Sequence, residues 1–217
     1  MFKEINLYEK DATKDSVIKN VFKIINYNLD GINVSLNYIS EVRDIIPKES
    51  NLILSCPVDY PDGLSDTKHR QHQTITAIRK GANCIDLVIN PIYLLNEQRN
   101  VIYSDIETQS KICKDNNILL RIMLEYRHFS KETYYDLIRL CRILKIKYIF
   151  PSTGNFADDY EDNLIMGKMI NSIYSGVKVI TNGNIWKKEQ YELIKRSGIY
   201  GIRLKSNCDF SFLLEKQ

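Results

Sequence analysis

Charged side chains embedded in apolar runs are the first residues of this sequence that could do chemistry. Asp86 lies within Cys84–Asn90 (CIDLVIN), and Arg121 and Glu125 lie within Ile118–Glu125 (ILLRIMLE). A buried charge without partners costs several kcal/mol, so an inward Asp86 must meet cations or hydrogen-bond donors, and Arg121 is the candidate to supply them. Such a pair is either a buried structural ion pair or an acid/base couple serving a substrate, and the sequence leaves both open. Glu125 reads first as a loop carboxylate supporting its neighbours, with a role at a site as the second reading. Two lysines also sit on apolar strands. Lys178 precedes Ile180 by two residues and shares its face, which makes it a candidate amine, although a position at the strand's start also suits a solvent-facing lysine. Lys205, at the end of the last strand, is a candidate amine or phosphate ligand against the plainer reading of a surface lysine.

A second set consists of small residues at strand ends. The run Lys147–Phe156 (KYIFPSTGNF) is a short apolar strand broken by Pro151 and followed by the loop Ser152, Thr153, Gly154 and Asn155. Backbone N–H groups at the end of a buried parallel strand can cradle a phosphate or carboxylate. Gly183 and Asn184, and then Ser206 and Asn207, end two later strands in similar fashion. Ser152, Thr153, Gly154, Gly183, Asn184, Ser206 and Asn207 are therefore candidate anion ligands, with ordinary turn chemistry as the alternative. His69 and His72 flank Arg70 and read as the exposed face of a helix rather than a metal site; His128 stands alone after a strand.

Holding these residues in place calls for alternating elements. Strands are expected at about 5–8, 32–35, 52–56, 84–90, 118–125, 146–150, 177–181 and 202–205. Between them fall helices. One is capped within Asp11–Thr13 and places Val17, Val21, Ile24 and Ile25 at helical spacing, another is capped by Ser65 or Asp66 and stopped at Gly81, and others lie near 39–46, 104–114, 132–144, 163–173 and 187–196. Strands and helices alternating over an uninterrupted chain predict an α/β protein, a (β/α)8 TIM barrel forming one domain over residues 1–217, with a doubly wound sheet as second choice.

Composition narrows the function further. Lys+Arg 30 against Asp+Glu 27 gives a net charge of +3, too small to mark a nucleic-acid surface but compatible with a small phosphorylated or anionic ligand. Cys56, Cys84, Cys113, Cys141 and Cys208 lie far apart without a CxxC pair, so they form neither a zinc cage nor a disulfide framework and read as reduced thiols of a cytoplasmic protein. The N-terminal stretch MFKEINLYEK carries charges where a signal peptide has an apolar core, and the sequence contains no apolar run of about 18 residues. No cofactor, metal, membrane or nucleic acid is called for, and an oligomer is left open.

Several segments, taken in order, resemble the deoxyribose-phosphate aldolase family of class I aldolase barrels. They are Tyr60-Pro61-Asp62-Gly63, Gly81 to Val88 (GANCIDLV), Leu120 to Glu125 (LRIMLE), Ser152-Thr153-Gly154 and Asn182-Gly183-Asn184-Ile185. The resemblance implies a barrel lyase in which a lysine two residues before the Ser-Thr-Gly loop forms an imine with the substrate carbonyl. It also implies a second lysine on the seventh strand that lowers the pKa of the first. Here those positions hold Phe150 and Ile180, an inward lysine of the fifth strand corresponds to Arg121, a glycine corresponds to Asn184, and the acidic residue is kept as Asp86, with Glu4 where the family has an aspartate. Neither phenylalanine nor isoleucine can form an imine. The expectation is an aldolase-like barrel inactive as a class I aldolase and re-purposed; the alternative is a diverged carbon-carbon lyase acting on a phosphorylated sugar-like carbonyl, with Asp86, Arg121, Glu125, Lys205 and Lys178 as its polar groups.

Overall fold

The computed structural model describes residues 1–156 and 159–213. Its strands are β1 (Phe2–Asn6), β2 (Gly31–Asn33), β3 (Ile53–Val58), β4 (Cys84–Val88), β5 (Leu119–Met123), β6 (Tyr148–Phe150), β7 (Lys178–Thr181) and β8 (Gly201–Lys205). Each pairs in parallel with the next, and β8 closes onto β1 with Arg203 opposite Glu4 and Lys205 opposite Asn6. The outcome is the closed (β/α)8 TIM barrel, not the doubly wound sheet.

The outer ring consists of α1 (Lys14–Asn26), α2 (Ile39–Ile45), α3 (Thr67–Arg79), α4 (Pro91–Leu95), α5 (Arg99–Asp115), α6 (Lys131–Ile143), α7 (Tyr160–Ile173) and α8 (Lys188–Arg196). Local chemistry starts the helices where the sequence suggests. Thr13 caps α1 by accepting from Ser16 N at 3.2 Å while Ser16 Oγ accepts from Thr13 N at 3.0 Å. Asp66 caps α3 by accepting from His69 N at 3.0 Å. The short α4 is additional to the expected elements; Asn90 caps it and Pro91 begins it, and α5 then starts at Arg99 rather than near residue 104.

Strand alternation sorts side chains to two sides of the barrel wall. Ile5, Ile32, Leu54, Ile85, Leu87, Ile122, Ile149, Val179, Ile202 and Leu204 point outward into a continuous core beneath the helices. Phe2, Val88, Met123, Phe150 and Ile180 form a second, smaller apolar cluster inside. The N-terminal end of the barrel is closed by aromatic rings. Phe2 stacks on Tyr200 with centroids 5.8 Å apart, and Lys178 Nζ lies 4.7 Å from the Tyr200 ring centre. Phe2 fits because its neighbours are glycines: a Cβ on Gly201 would come within 2.8 Å of its side chain, and one on Gly31 within 3.1 Å.

Candidate functional site

Glu4, Asp86, Arg121 and Arg203, one from each of four strands, meet at the centre of the barrel. Asp86 Oδ1 accepts from Arg121 Nε at 2.6 Å and its Oδ2 from Arg121 Nη2 at 2.9 Å, a two-pronged match of planar groups. Arg203 Nη2 also donates to Asp86 Oδ2, and Asn33 Nδ2 does so at 2.9 Å. Glu4 completes the ring, with Oε1 accepting from Arg121 at 2.9 Å and from Ser55 Oγ at 3.2 Å, and Oε2 accepting from Arg203 Nε at 2.7 Å. Two cations therefore face two anions, and all four side chains are buried.

The balance of burial and charge sets the proton affinities. Burial alone would raise the Asp86 pKa, but Arg121 and Arg203 outweigh it and hold the carboxyl below its usual range. Burial would lower the pKa of both arginines, yet Asp86 and Glu4 turn the balance and raise them. Asp86 and both arginines thus stay ionised at neutral pH, and a guanidinium so held does not act as a base or nucleophile. The thiols are equally inert. Burial pushes Cys56, Cys113 and Cys141 up to about 12, and moves Cys84 beside Asp86 well above its ordinary value.

Above the ring the space is filled. The Phe150 ring lies 4.3 Å from the Arg203 guanidinium carbon and 5.1 Å from that of Arg121, so both cations contact its π system. Ile180, Val88 and Met123 pack around it, and Tyr60 covers the cluster from the mouth. Tyr60 reaches across the barrel from the loop after β3 and donates from its hydroxyl to Thr153 O at 3.3 Å, while Tyr8 packs edge-on against it. Burial pushes the Tyr60 hydroxyl well above its ordinary pKa, only partly opposed by Arg203.

The candidate cradle residues have mostly found partners within the chain. Glu125 Oε2 accepts from Thr153 N at 2.8 Å and from Thr153 Oγ1 at 2.6 Å. Gly154 N donates to Ser152 Oγ at 3.2 Å and Asn155 N to Thr153 Oγ1 at 3.3 Å, so the loop amides point at internal acceptors. Ser152 Oγ donates to Asn182 Oδ1 at 2.8 Å. Gly154 has φ +73°, and a Cβ there would sit 3.0 Å from the Asn182 amide, so the turn calls for glycine whatever it binds. Gly183 is buried beside Asn182, whereas Ser206 and Asn207 line a separate cavity of about 320 Å³ with Glu9 and Asp11.

The two candidate lysines lie on the inward register at opposite ends of the barrel. Lys178 is exposed at the N-terminal end, where its Nζ donates to Tyr148 Oη at 3.3 Å. Lys205 is half-buried at the mouth, with Nζ 3.5 Å from Asn184 Oδ1. His69, His72 and His128 are exposed. Among the described residues no group of three His, Cys, Asp or Glu side chains is placed to hold a metal, and no helix is long and apolar enough to cross a membrane.

A family model described as "DeoC/LacD family aldolase" matches residues 6–147, well over half of the chain. The chain belongs to the DeoC/LacD aldolase family. It is 24% identical over 186 residues to a deoxyribose-phosphate aldolase of Histophilus somni, a match covering 85% of this chain and 81% of that one. Among solved structures, the aldolase QR15 superposes with a TM-score of 0.83 at 16% identity, covering 94% of this chain and 89% of its own. The tetrameric deoxyribose phosphate aldolase of Aeropyrum pernix gives a TM-score of 0.79 at 17% identity over 93% and 84% of the two chains. These structural likenesses show the barrel fold.

Sequence reasoning brought Asp86 and Arg121 together but passed over Arg203 and Tyr60. Arg203 had a readable signal: it stands between Ile202 and Leu204, two residues before Lys205, so any register that turns Lys205 inward turns Arg203 inward too. Tyr60 had only its place in a turn and in one of the segments that resemble the family.

Proposed function

We propose that this DeoC/LacD barrel does not carry out imine-forming aldol chemistry and is a re-purposed, non-catalytic member of its family. The observation that carries this reading is the filled interior: Phe150 is pressed against Arg121 and Arg203, Ile180 packs beside it, and Tyr60 covers them. The family resemblance implies lysines at the positions of Phe150 and Ile180, and the arginines that occupy the centre remain protonated and cannot attack a carbonyl. Phosphate binding, if retained, would fall to the mouth around Lys205, Asn184 and Gly183, because the Thr153 amide is engaged by Glu125. Buried free thiols support a reducing, cytoplasmic setting. The tetramer of the Aeropyrum pernix relative supports an oligomer.

The second reading, a diverged carbon-carbon lyase acting on a phosphorylated sugar-like carbonyl, is favoured by one observation: Lys205 lies at the mouth on the inward register of β8. One experiment separates the two. The protein is incubated with deoxyribose phosphate, reduced with borohydride and mapped by peptide mass spectrometry, alongside an assay for release of the aldehyde product. No turnover and no adduct beyond scattered surface lysines is the expected result. A single stoichiometric adduct on Lys205, removed by Lys205→Met, would establish the lyase instead.

A further inference from the structure

Outside the barrel, a second buried polar cluster lies between α3 and α5, and the interior site makes no use of it. Arg70 and Thr74 are one turn apart on α3, and Asp105 and Gln109 are one turn apart on α5; all four are buried. The two helices pack against each other, and with one residue pair in contact the buried pair one turn further along each helix can be treated as a second rung of the same seam. On the first, Arg70 Nη2 meets Asp105 Oδ2 at 3.1 Å. On the second, Thr74 and Gln109 do not bond each other. Five polar atoms along the seam have no protein partner: Arg70 Nε, Thr74 Oγ1, Asp105 Oδ1, and both Nε2 and Oε1 of Gln109. Leaving a buried donor or acceptor unmatched costs about 1–3 kcal/mol each, so a seam with five of them points to a guest.

The chemistry of the five atoms selects that guest. Arg70 Nε and Gln109 Nε2 are donors, which oppose a cation. Asp105 Oδ1 and Gln109 Oε1 are acceptors, and Asp105 with Asp59 repels an anion. Thr74 can serve either way. Only a small neutral molecule that both donates and accepts answers all of them. A surface cavity of about 280 Å³, lined by Thr67, Gln71, Asn100, Ser104, Thr108 and Asp105 itself, brings solvent to the Asp105 end of the seam.

We propose that the α3–α5 seam is a structural water site, holding about two molecules at roughly three hydrogen bonds each, and that this water completes the seating of Arg70. Arg70 is the clamp of the loop after β3. Its Nη1 donates to Asp59 Oδ2 at 3.1 Å and its Nη2 to Val88 O at 2.6 Å. Asp59 in turn accepts from Gly63 N through its carbonyl at 2.8 Å and from Ser65 N through its carboxylate at 2.9 Å. That loop carries Tyr60, so water between two outer helices helps fix the residue that covers the barrel's mouth.

The test uses the intact protein. A crystal structure fine enough to place ordered water, together with magnetisation transfer from water to the Gln109 side-chain amide in labelled protein, is expected to show water within hydrogen-bonding distance of Gln109 and Thr74. A seam without density or transfer, with Gln109 turned to a protein partner, would overturn the site. Gln109→Leu is expected to expel the water and to quicken hydrogen exchange of the Gly63 and Ser65 amides severalfold; unchanged exchange would overturn the link to the loop. If Gln109→Leu does not fold, Thr74→Val takes its place in both readouts, with Thr74→Ser expected to retain the water and the native exchange.

Discussion

Two buried arginine clusters, one at the centre of the barrel and one between α3 and α5, solve the same problem differently. The central ring matches Arg121 and Arg203 with Glu4 and Asp86. The seam sets one arginine, Arg70, between Asp59 and Asp105. Strand register explains the first. Neighbouring strands lie about 4.8 Å apart, so inward side chains of facing strands meet directly and a carboxylate can accept from two guanidiniums. Helix axes stand about 8–10 Å apart, and the short side chain of Thr74 finds no protein hydrogen-bond partner. The two carboxylates therefore respond in opposite ways. Burial raises Asp105, and the single Arg70, with Asp59 opposing it, does not reverse that; Asp86, with two cations, is held low.

The sharpest way to break this contrast is Asp86→Ala, which leaves two buried guanidiniums to share the single carboxylate of Glu4. It is expected to cost about 3–5 kcal/mol, read from the denaturant midpoint; a loss below about 1 kcal/mol would mean that the ring tolerates unpaired charge. Arg70→Met should fall at the lower end of that range, about 3 kcal/mol, because water can reach Asp105 once its partner is gone. The pH dependence follows in size and separates the clusters by sign. A carboxyl held low in the folded state contributes stability above its unfolded pKa of about 3.9 and loses it as pH falls through the folded value. Asp86→Asn is therefore expected to flatten the acid limb below about pH 4. A carboxyl held high does the reverse, costing stability at neutral pH and relieving that cost as it protonates. Asp105→Asn should accordingly steepen the decline in stability between neutrality and about pH 4, measured by denaturant titration across pH. Tyr60→Phe is the smallest, about 1 kcal/mol for the bond to Thr153 O, and a much larger loss would assign the lid more than its hydroxyl contact.

The barrel was legible because apolar strands recur between capped helices, and the caps at Thr13 and Asp66 fall at residues the sequence marks. Asp86 and Arg121 were legible as charges in apolar runs, and they lie opposite one another on β4 and β5. Arg70 was hidden. It sits between His69 and His72, and its buried face continues through Thr74 and Ala77, residues too small or too polar to print an apolar stripe. The candidate anion ligands were legible as turn residues but not as a group, since hydrogen bonding inside each loop decides where amides point, and that depends on Glu125 arriving from another strand. α4 escaped because it has only five residues and its cap, Asn90, reads as the last residue of the strand before it.

The ion-paired groups buried at the middle of the barrel also give the molecule a thermal character. Water orders itself around ions at a cost in entropy, so the advantage of hydrating them shrinks on warming. Heating should therefore weaken the case for pulling these charges apart even as it loosens the surrounding helices, leaving the strands as the last part of the fold to yield.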